Sequence, residues 1–329
     1  KIIPITKDKK VTYINEDGEF TVSANAIIVA TGSYERTAGQ IQLPGTRPKG
    51  VFTAGQAQKY INEYGHLVGK KVFILGSGDI GLIMARRMKL EGANVLGVAE
   101  ILPFSGGLNR NIVQCLNDFD IPLYLSHTVT EIIGKSKIEK IILSEVKDFV
   151  PIKGTEKEFE VDALLLSIGL IPENGLSEAA GIILDPNTKG PIVNESYQTN
   201  IDGIFACGNV LHVHDLVDFV TEESRKAGRN VAKYLKNETS NKEQSTNMKA
   251  KDGVSYIVPQ VIHYDNLEDK TEFFFRVQNE YKDVEVVVKG DNQEIKRMKK
   301  RHMAPAEMEK VMLKKEDLKP YDSITIEVM

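Results

Sequence analysis

The sequence predicts an α/β chain whose middle is a parallel sheet covered by helices and whose end is a small all-β module. Three observations carry this prediction. Between residues 70 and 125, short apolar strands alternate with longer helical segments. A glycine-rich turn, Gly76-Ser77-Gly78-Asp79-Ile80-Gly81, joins one of those strands to the helix after it. From residue 254 onward, helical periodicity gives way to separated strand-like runs.

Bulk properties narrow the function classes. A chain of 329 residues suggests two or three domains, and 41% hydrophobic content supplies cores for them. A net charge of −4, no tryptophan and 7% aromatic residues argue against a nucleic-acid-binding protein. The longest apolar stretch, around Ala163–Ile171, falls short of the ~20 residues of a bilayer span. No membrane span is expected. No charged segment followed by an apolar one opens the chain, so the expected location is cytoplasmic. Cys115 and Cys207 lie 92 positions apart without a CxxC, which excludes an adjacent redox dithiol and a zinc-type pair and leaves buried thiols.

Taken in order, Val11–Ile14 and Glu19–Val22 flank a turn at Asn15, Asp17 and Gly18, the pattern of a hairpin. Ala26–Ala30 is an apolar strand ending in Thr31-Gly32. Residues 34–66 are irregular, punctuated by Pro44-Gly45 and Pro48, with a short helix near Gln56–Tyr64. Lys70–Leu75 reads as a buried strand, Ile80–Glu91 as a helix and Asn94–Val98 as the next strand. Arg110–Phe119 suits a helix and Leu123–Leu125 a strand, while Glu131–Glu145 with Glu158–Ile168 suggests a meander. Gly203–Ala206 forms a strand, Cys207–Asn209 a turn and Leu216–Leu235 a long helix. Residues 237–253 are almost devoid of apolar side chains and read as a linker. Strand-like runs follow at Tyr256–His263, Glu272–Gln278, Val284–Lys289, Glu309–Leu313 and Ser323–Val328.

The glycine turn carries chemistry because of its context. A strand precedes it, an amphipathic helix follows, and a second strand ends at Glu100, 24 positions after Gly76. In such a unit Gly76 permits the tight turn, Gly78 lets the backbone approach a diphosphate, and Gly81 allows close helix–strand packing. The helix start at Ser77, Asp79 and Ile80 supplies amide donors and a positive dipole end. Glu100 would accept bonds from the adenosine ribose. No Lys or Arg occurs between Glu100 and Gly107 to meet a 2′-phosphate, so NAD(H) is expected rather than NADP(H).

Two further motifs, Ala30-Thr31-Gly32-Ser33 and Gly203-Ile204-Phe205-Ala206-Cys207-Gly208-Asn209, have no place in an NAD domain alone. With them the chain resembles the two-dinucleotide flavoproteins, the pyridine nucleotide-disulfide oxidoreductase superfamily. Glu35-Arg36-Thr37, Leu43–Pro48, Gly76–Arg87 and Phe205–Asp218 resemble one branch more closely. These are the FAD-dependent subunits associated with bacterial glycerol-3-phosphate dehydrogenase, related to the α-subunits of sarcosine oxidase, proline dehydrogenase and opine oxidase. The resemblance covers residues 1–236.

It implies a Rossmann-like NAD-binding domain (67–168) inserted into an incomplete FAD-binding domain (1–66 and 169–236). The linker 237–253 and a sandwich-like β module (254–329) follow. It also implies that Thr31, Gly32, Gly208 and Asn209 contact FAD, with His214 and Asp215 at the flavin edge and one of them relaying protons. The reaction implied is hydride transfer between nicotinamide and flavin, with electrons exchanged with a partner dehydrogenase that oxidises glycerol 3-phosphate, an amine or an amino acid. Three departures stand out. The family's N-terminal βαβ unit, with its own glycine fingerprint, is missing, so the chain reads as N-terminally truncated. Asn209 replaces an aspartate. The redox CxxC is absent, so electrons must leave by another route. An alternative reading is a non-catalytic NAD-binding or assembly subunit with a defunct flavin site.

Bland readings compete for the remaining candidates. His212, His214, Asp215 and Asp218 have a spacing that invites a metal, but no third histidine or cysteine lies nearby, and no metal is assigned. Cys207 reads as packing in the turn. Lys296, Arg297, Lys299, Lys300, Arg301 and His302 read as a solvated strand edge, with docking of an acidic partner as the alternative.

Overall fold

A computed structural model describes residues 1–238, 245–318 and 321–329. The chain divides into two compact units, Glu35–Leu170 and the discontinuous set Lys1–Tyr34 with Ile171–Met329.

The unit Glu35–Leu170 is built on a five-stranded parallel sheet in the order Val51–Thr53, Ala163–Leu166, Lys71–Leu75, Asn94–Glu100, Leu123–Leu125. Strands buried on both faces read as unbroken apolar runs, and Val72–Leu75 and Ala163–Leu166 do so. Their alternation divides the core. Val72, Ile74, Val98 and Leu165 face helices α1 (Ala54–Tyr64), α2 (Asp79–Leu90) and α3 (Asn109–Cys115). Phe73, Leu75, Leu164 and Leu166 face an antiparallel sheet of His127–Gly134, Ile138–Lys147 and Lys157–Glu160. The expected meander therefore ends at Glu160. Ala163–Leu166 belongs to the parallel sheet, because a strand covered on both sides shows no polar alternation. The unit also begins well before residue 67, since Val51–Thr53 pairs with Ala163–Leu166 and α1 buries Ala54, Ala57 and Ile61.

In the second unit, Ile2–Ile5, Lys10–Asn15 and Gly18–Ser23 form an antiparallel sheet around the expected hairpin. Ile27–Val29 runs parallel to Ile204–Ala206, so the turns after both strands leave at the same end. Helix α4 (Gly175–Ala180) and the long α5 (Val217–Leu235) belong here. The β module has a sheet in the order Val261–His263, Ser245–Ala250, Ser323–Val328, Tyr281–Gly290, Gln293–Met303. Its other sheet is Val254–Val258, Lys270–Val277, Glu309–Lys314. Phe273, Phe275, Val286, Val288, Leu313, Ile324 and Ile326 fill the space they enclose.

Ser245–Ala250 is a strand where a linker was expected. Its burial alternates, with Thr246 and Met248 inward, a pattern that its polar composition hides. The rest of that linker, 239–244, lies outside the described residues. The basic cluster sits on Gln293–Met303, the outermost strand of its sheet. Arg297 pairs with Glu285 and Glu294, and Lys300 with Glu309, so much of this charge is internally matched.

Candidate functional site

The glycine turn lies at the carboxyl end of the central strand Lys71–Leu75, where ligands of parallel sheets bind. One neighbour, Ser167 at the end of the adjacent strand, excludes a side chain at Gly76 and Gly81 and crowds one at Gly78. Gly76 has φ +94°, and a Cβ there would lie 2.1 Å from the Ser167 carbonyl oxygen. A Cβ at Gly81 would lie 2.5 Å from that of Ser167, and one at Gly78 would press on the Ser167 hydroxyl at 3.0 Å. The Gly81 amide donates to Ser167 Oγ at 3.0 Å. Gly78 caps α2 without a side-chain bond to its first turn, so of the early amides only that of Gly81 is taken by a side chain among the described residues.

Glu100 fastens this turn to the end of the next strand and is only 7% exposed. Its Oε2 accepts from the Ser77 amide at 3.0 Å and the Ser77 hydroxyl at 2.6 Å, and its Oε1 accepts from the Leu102 amide at 3.1 Å. The Gly106 amide donates to Ser77 Oγ at 2.7 Å, drawing the following loop into the same network. A carboxylate offers about four acceptor positions, so one remains for an outside hydroxyl. Asp79 and Ile80 do other work. Asp79 Oδ1 accepts from Leu108 N at 2.9 Å and from Asn111 Nδ2 at 2.7 Å, and Ile80 packs on the helix-side core.

Gly76, Gly78, Glu100, Leu102 and Ser167 line a cavity of about 860 Å³, which suits a dinucleotide-sized ligand. Arg36 and Lys153 line it too. The absence of a cation between Glu100 and Gly107 is therefore only a local statement, since the fold brings two positive side chains from distant positions. Ser167 and these cations escaped the sequence reading because their proximity is made by strand order.

The second group of candidates lies in the other unit. Thr31 donates through Oγ1 to the Glu173 carbonyl at 2.6 Å, and Gly32 adopts φ +77°. Gly208 also has φ +77°, and its amide donates to Glu223 Oε1 at 2.5 Å. Asn209 Oδ1 accepts from the His214 amide at 3.1 Å. An asparagine so engaged has its NH2 to offer a ligand, so it would donate to a ribityl oxygen where an aspartate accepts. Asp215 is bound by the Arg276 guanidinium and by the Met308 amide at 2.5 Å.

His212 and His214 converge on Glu223, which lies on the inner face of α5 with Ala227. Burial works against the Glu223 carboxylate, but the hydrogen bond from His212 and the close approach of both imidazoles prevail and hold it down to about 2. Burial pushes His212 below its ordinary value, against the pull of Glu223. Glu223 was missed by sequence reading; its signal was a carboxylate in the buried stripe of an amphipathic helix. Cys207 and Cys115 are buried free thiols, each raised by burial, as packing residues would be.

A family model for pyridine nucleotide-disulphide oxidoreductases matches residues 1–264. The chain belongs to that family. Pyridine nucleotide-disulphide oxidoreductases bind FAD and NAD(P)H. Among curated relatives, an NADH oxidase of Methanocaldococcus jannaschii is 31% identical over 231 residues, 66% of this chain and 46% of that protein. A ferredoxin–NADP reductase of Picrophilus torridus is 26% identical over 218 residues, 65% of this chain and 62% of that protein. The chain thus spans about half to two thirds of the length of these relatives. Thioredoxin reductase of T. acidophilum superposes with a TM-score of 0.59 at 23% identity, over 73% of this chain and 74% of that one. At that identity the likeness shows the fold alone. Among the described residues, no helix is long and apolar enough to cross a membrane.

Proposed function

We propose that this chain is the cofactor-handling part of an NAD(H)- and FAD-dependent oxidoreductase subunit in the cytoplasm. Its partner is a dehydrogenase subunit of the kind that oxidises glycerol 3-phosphate, an amine or an amino acid. The observation that supports this best is the Ser77–Glu100 network, which presents a glycine turn and one free carboxylate acceptor position to a cavity of dinucleotide size.

In this reading the amides at the start of α2 hold the diphosphate and Glu100 takes the adenosine ribose. The carboxylate disfavours a 2′-phosphate by charge, and Arg36 and Lys153 are left to meet the diphosphate. Thr31, Gly32, Gly208 and Asn209 hold FAD, which supplies the hydride acceptor or donor when bound. His214 and Asp215 support the flavin edge by position, since Asp215 is tied to Arg276 and the His214 amide to Asn209.

A second reading rests on the same turn. The Gly208 amide and the Asn209 oxygen are already bonded within the protein, as in a subunit that binds NAD without flavin chemistry. Anaerobic titration of the purified full-length protein separates the two. The proposal expects flavin absorbance that NADH bleaches at far lower concentration than NADPH. A yellow protein that neither coenzyme bleaches, or a colourless one, would leave the second reading standing.

A further inference from the structure

The buried cluster of His212, His214 and Glu223 has a geometry that neither cofactor site explains. Their side chains are 1%, 1% and 0% exposed. Glu223 Oε2 lies 2.9 Å from His212 Nε2 and 3.3 Å from His214 Nε2, and one ligand atom from each residue falls within 4.8 Å of the others. A tetrahedral ion bound at roughly 2.0–2.1 Å spaces its ligand atoms about 3.3 Å apart, close to the two distances from Glu223 Oε2.

Hydrogen bonding is incomplete here. The contact from His214 Nε2 is not aligned as a hydrogen bond, and neither ring nitrogen of His214, nor Nδ1 of His212, has a hydrogen-bond partner among the described residues. Buried polar atoms without partners are rare and call for a reason. Charge is incomplete as well. Arg276 is spent on Asp215, the Val213 and Pro305 carbonyls and Tyr256, which leaves the imidazoles as the groups facing the carboxylate. The Gly208 amide anchors Glu223 Oε1 at 2.5 Å and leaves Oε2 facing the two imidazoles.

We propose that His212, His214 and Glu223 bind one divalent transition-metal ion of the zinc class, pinning the turn after Ile204–Ala206 to α5. Two imidazoles and one carboxylate suit Zn²⁺, Co²⁺ or Fe²⁺ and not Ca²⁺ or Mg²⁺, which prefer oxygen donors throughout. The rings of Tyr256 and Phe274, with centroids 6.0 and 5.9 Å from that of His212, pack beside the site.

The test is a Co²⁺ titration of the purified, chelator-stripped chain, followed by visible absorption and thermal melting. One equivalent of Co²⁺ should give the d–d bands of a tetrahedral site, Zn²⁺ should displace it, and the melting temperature should rise with either ion. His214→Ala removes a ring that makes no hydrogen bond, so it should fold normally by circular dichroism and bind at least tenfold more weakly. Glu223→Gln should do the same. No stoichiometric uptake by the folded chain, or uptake unchanged in both variants, overturns the proposal. Neither flavin nor nicotinamide enters the readout, so this outcome is independent of the function proposed above.

Discussion

At the scale of single residues, the proposed function makes Glu100 the side chain on which coenzyme choice turns. It accepts three protein hydrogen bonds and lines the cavity beside Gly76 and Gly78. Glu100→Gln keeps the shape but removes the charge and makes one terminal atom a donor. A charge-assisted hydrogen bond contributes roughly 1.5–3 kcal/mol, so NADH affinity should fall about tenfold to a hundredfold. NADPH affinity should fall less or rise, because the repulsion of a 2′-phosphate is gone. Calorimetry with both coenzymes checks this; an equal loss for both would mean that Glu100 only braces Ser77. The glycines and Glu100 were legible in the sequence because one strand–turn–helix–strand unit fixes their spacing. Ser167 and Glu223 were not. Ser167 meets Gly81 across 86 positions, a contact created by the insertion of Ala163–Leu166 beside Lys71–Leu75.

At the scale of elements, α1 shows how a motif outside the cofactor sites shapes the unit Glu35–Leu170. Thr53 Oγ1 accepts from the Gln56 amide at 3.2 Å and donates to Glu35 Oε2 at 2.5 Å, while Glu35 Oε1 accepts from Gly55 N at 2.7 Å. Thr53-Ala54-Gly55-Gln56 has the residue types of a capping box, and Gly65 closes the other end in the left-handed region at φ 63°. Thr53→Ala should cost about 1 kcal/mol of stability, and Thr53→Ser far less, in urea unfolding curves. An alanine variant as stable as the wild type would mean that Glu35 caps the helix unaided. Helices with apolar periodicity, α1, α2 and α5, were readable to within a few residues. Strands were read less well where composition misleads. Ser245–Ala250 is polar yet paired on both sides, and Ala163–Leu166 is apolar because it is central, not because it continues a meander.

At the scale of the whole molecule, the β module is welded to the rest of its own unit. Val258 is buried in the same cluster as Ile5, Val29, Ile204 and Cys207. Val193 donates its amide to Gln260 Oε1 at 3.0 Å, and His263 donates its amide to Glu195 Oε2 at 2.8 Å. Arg276 is the strongest of these ties, because it carries charge from Lys270–Val277 to Asp215 and the Val213 carbonyl just before α5. Both side chains are mostly buried, at 15% and 10% exposure, so removing one strands the other. Breaking a buried ion pair from one side costs about 3–5 kcal/mol, whereas replacing both partners with apolar groups is often neutral. Arg276→Ala should therefore lower the urea midpoint of the unit that contains it, and the double variant Arg276→Leu, Asp215→Leu should recover most of that loss. A single variant that costs under about 1 kcal/mol would show that the pair is solvated in practice. The module would then rest on the strands Ile27–Val29 and Ile204–Ala206 through apolar contact around Val258, with no buried charge to specify how it docks.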